Sequence, residues 1–373
     1  MSYFVWGIFS QMKKFQTDQT INFWSKLMIS GQQENNARHI SEPVKNNFNE
    51  ERVKRNIEVL RQFKEGKLTS LKQYSGFGGL RKAFKNEAIV NSLSTFLSPD
   101  EIDRLKKSTS TGYFTPPLII DFIYAIIQKL GFKHGKILEP ACGAGAFFEC
   151  MPKSMRKNSQ ITGIELEPFS ASIAKALYAD IKIVNKGFQH FHDNEFDLVI
   201  GNPPYASFTV FDKEHPDFCD EMIHHYFVAK SVRLLKENGL LAMVVPCYIL
   251  DNPKRHLRKQ IAEMAELITA YRLPENLFDD AKTTVDIVIF QRKPNPSTEW
   301  SNTSLTNLPN KKTSYLSNYF IKHPKHILGE LSTYEAYSYF EDRPRRGLCC
   351  KGSIEMVQQQ LPQLLNAVQP VIM

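Results

Sequence analysis

"KILEPACGAGAF", residues Lys136–Phe147, joins a short apolar run to a cluster of small residues and two glycines. Lys136 to Pro140 reads as a strand carrying Glu139 near its end. Gly143 and Gly145 permit a tight turn and close approach of backbone to a ligand, and a helix beginning there presents free N–H groups. The third glycine of the dinucleotide fingerprint is missing, so an ordinary strand-to-helix turn competes as a reading of this stretch alone.

Two acidic residues argue for a ligand. A carboxylate at Glu139 repels a pyrophosphate but holds a cationic amine. "TGIELE" puts Glu165 at the end of the next strand, about twenty residues past the glycines, where an acid accepts from both ribose hydroxyls. An amino-acid ammonium with a ribose nearby describes S-adenosylmethionine better than NAD.

Around this loop, residues 111–293 alternate apolar runs with amphipathic ones. "KILEP", "ITGIEL", "IKIV", "FDLVIG", "LLAMVVP", "ITAYRLP" and "VDIVIFQRK" read as seven strands. "PPLIIDFIYAIIQKLG", "PFSASIAKALY" and "EMIHHYFVAKSVRLLKENG" read as helices. Such alternation predicts an α/β fold, a mostly parallel Rossmann-like sheet with helices on both faces and ligands at the carboxyl ends of its strands.

Residues 1–110 read as a helical amino-terminal extension with a glycine-rich segment, "YSGFGGLRKAF", Tyr74 to Phe84. "NEERVKRNIEVLRQFKEGK" has Val53, Ile57 and Leu60 at helical spacing, with Gly66 as its stop, and reads as a surface helix. Residues 294–373 open with "PNPSTEWSNTSLTNLPNKK", a loop or linker composition, and end in a short helical region.

The 373-residue chain carries a formal charge of +8, which permits a polyanionic partner without requiring one. No apolar run reaches the roughly 18 residues of a membrane span, and no secretory signal is evident, so a cytoplasmic setting is expected. The six cysteines include no C-x-x-C pair, so no metal site is expected. His224 and His225 are read as non-metal residues.

"FDLVIGNPPYASF", Phe196 to Phe208, sends Gly201-Asn202-Pro203-Pro204-Tyr205 off a strand end beside the glycine loop. An amine attached to a planar group is a poor nucleophile because its lone pair is delocalised. The Asn202 side-chain oxygen and the Pro203 carbonyl, aimed by the fixed φ of proline, suit its two hydrogens. Tyr205 suits stacking on a base. "STGYFTPPLIIDF" lies one helix before the first strand. There Thr115 either caps the helix that Pro116 and Pro117 begin, or joins Tyr113 and Phe114 beside the methionine end of the cofactor.

In this order, "YFTPP", "LEPACGAGAF", "GIELE" and "DLVIGNPPY" resemble the amino-group DNA methyltransferases that modify adenine N6. The resemblance covers residues 111–293. It implies a class I S-adenosylmethionine-dependent fold, with cofactor contacts at Tyr113, Phe114, Thr115, Glu139, Ala141, Cys142, Gly143, Gly145, Glu165, Phe188 and Asn202. Catalysis is implied at Asn202, Pro203, Pro204 and Tyr205. "LPENLFDDAKTTVDIVIFQRK" resembles the element whose aromatic sandwiches a flipped base, which makes Phe278 the partner of Tyr205. The Asp that many relatives carry after the third strand has no counterpart in register in "VNKGFQHFHDNEFDL"; Asp193 is the substitute.

The flanks resemble segments around the methyltransferase domain of phage and plasmid methyltransferase-helicase proteins. The chain leaves no room for the helicase part, and reads as a stand-alone version of the domain or a truncated descendant. The substrate implied is DNA. Either residues 1–110 help to read it, or specificity is low, or a partner supplies it; a cognate nuclease is a further association. RNA adenine, a protein glutamine amide and a degenerate DNA-binding relative are the alternatives. Nothing in the chain specifies an oligomeric state.

Overall fold

Seven strands form one sheet in the computed structural model, which describes residues 49–110, 114–254, 256–275, 277–278, 283–336 and 345–372. They are β1 (Lys136–Glu139), β2 (Gln160–Glu165), β3 (Lys182–Asn185), β4 (Phe196–Gly201), β5 (Leu235–Pro246), β6 (Ala265–Leu273) and β7 (Val285–Arg292). Their spatial order is β3-β2-β1-β4-β5-β7-β6. Strands β1 to β5 pair in parallel, while β7 runs antiparallel to both β5 and β6. The expected seven-stranded, mostly parallel sheet is present.

The central strands are apolar on both faces because both are covered. Successive side chains alternate: Ile137, Leu198 and Ile200 enter one core cluster, and Leu138 and Val199 enter another. The first cluster is closed by the Pro117–Leu130 and Ile354–Ala367 helices, the second by the Ile223–Leu234 helix. That last helix stops at Leu234 rather than running on to Gly239, because Leu235 already pairs with Phe196 on β4.

The Glu50–Lys64 helix forms as its periodicity predicts, capped by Asn49, and the chain turns at Gly66 with φ +77°. It is less of a surface helix than expected. Arg52, Val53, Asn56, Ile57, Val59 and Leu60 are buried in a third cluster, which reaches the sheet through Ala144, Phe169 and Ile173.

The largest departure from expectation lies after Lys293. In place of a linker, β8 (Thr303–Asn307) and β9 (Thr313–Ser317) form one hairpin, and β10 (Glu330–Ala336) pairs antiparallel with β11 (Arg345–Lys351). Ser304, Leu305, Asn307, Thr313 and Tyr315 are exposed, so these strands lack the apolar alternation by which a strand is recognised. Among the described residues, no helix is long and apolar enough to cross a membrane.

Candidate functional site

The sheet order reverses between β1 and β4, and a crevice at such a switch point is where open α/β sheets take ligands. The register Leu138↔Val199, continued by one residue, sets Glu139 beside Ile200 at the ends of these strands, just before Gly201 and Asn202. Glu139 packs against Gly201, the residue before Asn202: a Cβ on Gly201 would stand 3.3 Å from Glu139 Cγ. The register Glu139↔Gly163 sets the end of β2, with Glu165, on the other side of β1.

Glu139 is buried, and its Oε2 has no hydrogen-bond partner among the described residues. Burial, and then the neighbouring charge of Glu165, pushes its pKa well above the usual carboxylate range. A buried carboxyl oxygen of this kind is a seat for a cation, since a bound ammonium supplies both the charge and the hydrogen bond that are lacking.

Glu165 accepts from Gly143 N at 2.8 Å and from Glu167 N at 2.7 Å. Its pKa is raised to about 7 by burial, against the pull of those backbone donors. The glycine loop is thus tied to the acidic strand end before any ligand enters. Cys142 N donates to Ile164 O, and Gly143 and Gly145 both adopt positive φ. Cys142 is buried and Ala141 partly buried against the second cluster.

Phe114 and Thr115 reach this loop from the start of the Pro117–Leu130 helix; Tyr113 lies outside the described residues. Thr115 does not cap that helix, whose N-cap is Pro116 with no side-chain bond. Its Oγ1 instead accepts from Asn202 Nδ2 at 3.1 Å, which links the T-P-P and N-P-P-Y motifs directly. Pro203 is buried, and Pro204 and Tyr205 are partly so. Tyr205 donates its hydroxyl to Val244 O at 2.9 Å and packs against the first cluster, which also contains Phe278.

Two expected contacts look different in place. Phe188 is buried against Phe227 at 4.8 Å between ring centroids, with the Lys230 ammonium over its ring, so its faces are taken up by protein. Asp193 pairs with Lys136 Nζ at 2.7 Å, at the start of β1. It therefore lies at the opposite end of the strand from the ligand edge and cannot stand in for the absent Asp there.

Sequence reading also missed a buried ionic cluster under the loop that follows Tyr205. Asp212 binds Lys230 at 2.8 Å and the Tyr226 hydroxyl at 2.5 Å, and Lys230 donates to Phe188 O at 2.9 Å. Burial raises the Asp212 pKa, but the bonds from Lys230 and Tyr226 outweigh it and hold the carboxyl down at about 2. The one signal was a lysine set among apolar residues in "YFVAKSV".

His224 is fully buried beside Tyr205 and Tyr248, and burial lowers its pKa to about 3, so it is neutral. A cavity of about 1100 Å³ opens next to the site, walled by Tyr74, Phe114, Thr115, Ala144 and Leu277 among others. Glu139, Glu165 and Asn202 are not among its lining residues.

Comparison with known families decides what this edge belongs to. Residues 12–278, more than half of the chain, match the Eco57I restriction-modification methylase family. The chain belongs to that family. As an Eco57I-family methylase, it has S-adenosylmethionine as its cofactor, and the acidic pair at Glu139 and Glu165 fits that ligand.

The methylase is 33% identical to Type II methyltransferase M.CvrRI of Paramecium bursaria Chlorella virus XZ-6E, over 50% of this chain and 50% of that one. It is 28% identical to Defense against restriction protein B of Escherichia phage P1, over 49% of this chain but 8% of the phage protein. Among solved structures, the Type I restriction enzyme EcoKI M protein shares 15% identity at a TM-score of 0.41, covering 76% of this chain and 77% of that one. The methylase spans about half the length of the viral methyltransferase, and far less of the phage protein.

Proposed function

We propose that this methylase transfers a methyl group from S-adenosylmethionine to the N6 amine of an adenine flipped out of DNA. The reading is carried by one observation: Glu139 packs against Gly201 at the sheet edge, and the next residue, Asn202, is tied to Thr115. A cation seat and an amine-acceptor motif are thereby adjacent.

When bound, S-adenosylmethionine supplies a methyl group on a positively charged sulfur, already activated for displacement. Glu139 holds the cofactor's ammonium, Glu165 its ribose hydroxyls, and Phe114, Thr115 and the Ala141–Gly145 loop border it. Asn202 Oδ1 and the Pro203 carbonyl accept the two amine hydrogens and draw the nitrogen lone pair out of conjugation. The bond from Asn202 Nδ2 to Thr115 sets the amide so that Oδ1 is the end turned to the amine. Pro204 fixes the turn, and the base lies between Tyr205 and Phe278. Holding the amine in line with the donor supplies much of the rate.

Incubating the full chain with labelled S-adenosylmethionine and DNA, RNA or glutamine-containing protein tests this reading. Label recovered from DNA as N6-methyladenine, and lost in Asn202→Ala, is the expected result. Label confined to RNA or to glutamine overturns the substrate, and cofactor binding without transfer to any acceptor overturns the activity.

A further inference from the structure

The glycine-rich segment Tyr74–Gly79 lies against the cofactor edge and meets it at two places. At Gly76, where φ is +61°, a Cβ would stand 2.8 Å from Cε2 of Phe114. The tip of the same ring, Cζ, is 3.8 Å from the position of a Cβ on Gly143. The Phe114 ring is therefore held between this segment and the glycine loop. Tyr74, 4% exposed, packs in the cluster that contains Ala144, Phe169 and Ile173. Its hydroxyl feels burial first and then the charges of Glu167 and Glu165, which puts it at the acidic end of β2.

The segment is held in place from behind. Arg52 Nη2 donates to the carbonyls of Ser75 at 2.9 Å and Gly76 at 3.2 Å. Asn56 Nδ2 donates to Gly76 O at 2.5 Å, and Asn56 Oδ1 accepts from Ser75 N at 3.0 Å. Gly79 N donates to Thr109 O at 2.9 Å. Arg52 and Asn56 are 2% and 0% exposed, and burying such groups is costly unless bonds of this kind compensate. An ordinary surface turn needs no such bracing.

We infer that Tyr74–Gly79 is a positioning strap for the cofactor: it presses Phe114 against the Gly143 loop and sets the width of the S-adenosylmethionine site. Gly76 is the contact point, and Arg52 and Asn56 hold the strap at its working height. Residues 50–110 are then part of the cofactor site rather than a separate reader of DNA. The inference rests on the cofactor reading of the Glu139–Gly145 edge.

The test is calorimetric binding of S-adenosylmethionine to the full chain, with thermal unfolding measured in parallel. Gly76→Ala drives a methyl group toward Phe114 and is expected to weaken binding about tenfold. In a Phe114→Leu background, where the ring is gone, the same change costs less than about threefold, because contacting residues couple. Arg52→Lys keeps the charge but loses the planar guanidinium, whose Nε reaches Ser75 Oγ at 3.3 Å while Nη2 meets the two carbonyls, and weakens binding about fivefold. Wild-type affinity in Gly76→Ala and in Arg52→Lys, or an equal loss from Gly76→Ala in both backgrounds, overturns the strap. If Gly76→Ala does not fold, Arg52→Lys alone decides. A wild-type chain that binds no S-adenosylmethionine overturns the cofactor reading itself, a different result from a variant that binds as well as the wild type.

Discussion

Asn202 Nδ2 donates to Thr115 Oγ1 at 3.1 Å, across 87 residues of sequence. The bond fixes which end of the Asn202 amide faces the ligand edge, so in the proposed mechanism Thr115 acts on the amine through Asn202. Thr115→Val keeps the shape and removes the acceptor. Single-turnover transfer should fall about tenfold, while Asn202→Ala, which removes the group itself, should cost roughly 10²–10³. Cofactor affinity, measured by equilibrium dialysis, should fall far less than the rate in Thr115→Val. Equal losses in both would make bordering the cofactor, and not orienting Asn202, the main task of Thr115.

If Glu165 holds the ribose as proposed, it makes cofactor binding pH-dependent. With a pKa of about 7 in the ligand-free protein, it must lose a proton to accept from two hydroxyls. Affinity for S-adenosylmethionine is therefore expected to rise with pH through about 7, with the raised carboxyl of Glu139 adding to the same trend. The stability of the ligand-free chain runs the other way. A carboxyl whose folded pKa lies above its unfolded value stabilises fully below about 4.5, and that contribution is lost as pH rises through 7. Titrating binding and thermal unfolding in Glu165→Gln should reduce both trends, leaving in binding the part that belongs to Glu139, whose carboxyl pKa burial also raises.

Lys230 and Asp212 form a pair whose loss should be structural. Lys230 is fully buried, and removing it leaves Asp212 charged without its partner. Lys230→Met should cost roughly 3–5 kcal/mol in denaturant unfolding, the range for breaking a buried pair. The depressed Asp212 pKa stabilises above the unfolded value of 3.8 and loses that effect as pH falls through about 2. The destabilisation in Lys230→Met should shrink across the same acid window.

Tyr205 offers two separable contributions. Tyr205→Phe removes the bond to Val244 O and should leave transfer within a fewfold of wild type. Tyr205→Ala removes the ring and should lower transfer by roughly 1–3 kcal/mol of stacking energy. A fluorescent base in the target position, brightening on extrusion, would report the same difference without catalysis.

The sheet was legible because β1, β4, β5 and β7 are buried on both faces and read as continuous apolar runs. Glu139, Glu165 and Asn202 were legible because an acidic or amide group at the end of an apolar strand is conspicuous. Thr115 was not fully legible: a threonine before two prolines is an equally good cap in isolation, and only the approach of β4 gives its hydroxyl another task. Asp193 misled through proximity in sequence, since the turn before β4 carries it to the far edge of the sheet. Phe188 is claimed by Lys230 and Phe227 from a helix some forty residues away, a contact that no local pattern announces.

The pairing of β11 reaches further than its own hairpin. Cys350 O accepts from Glu275 N, and Cys350 N donates to Thr284 Oγ1, so one residue grips both ends of the stretch that bears Phe278. The smallest transplantable unit is accordingly longer than its signature motifs imply. A fragment cut at residue 293 would keep every motif yet lose the clamp, and one cut at 278, where the family match ends, would also lose β7 from between β5 and β6. Recombination between such chains would preserve a working unit only where the crossover carries the hairpin along with the motifs it steadies.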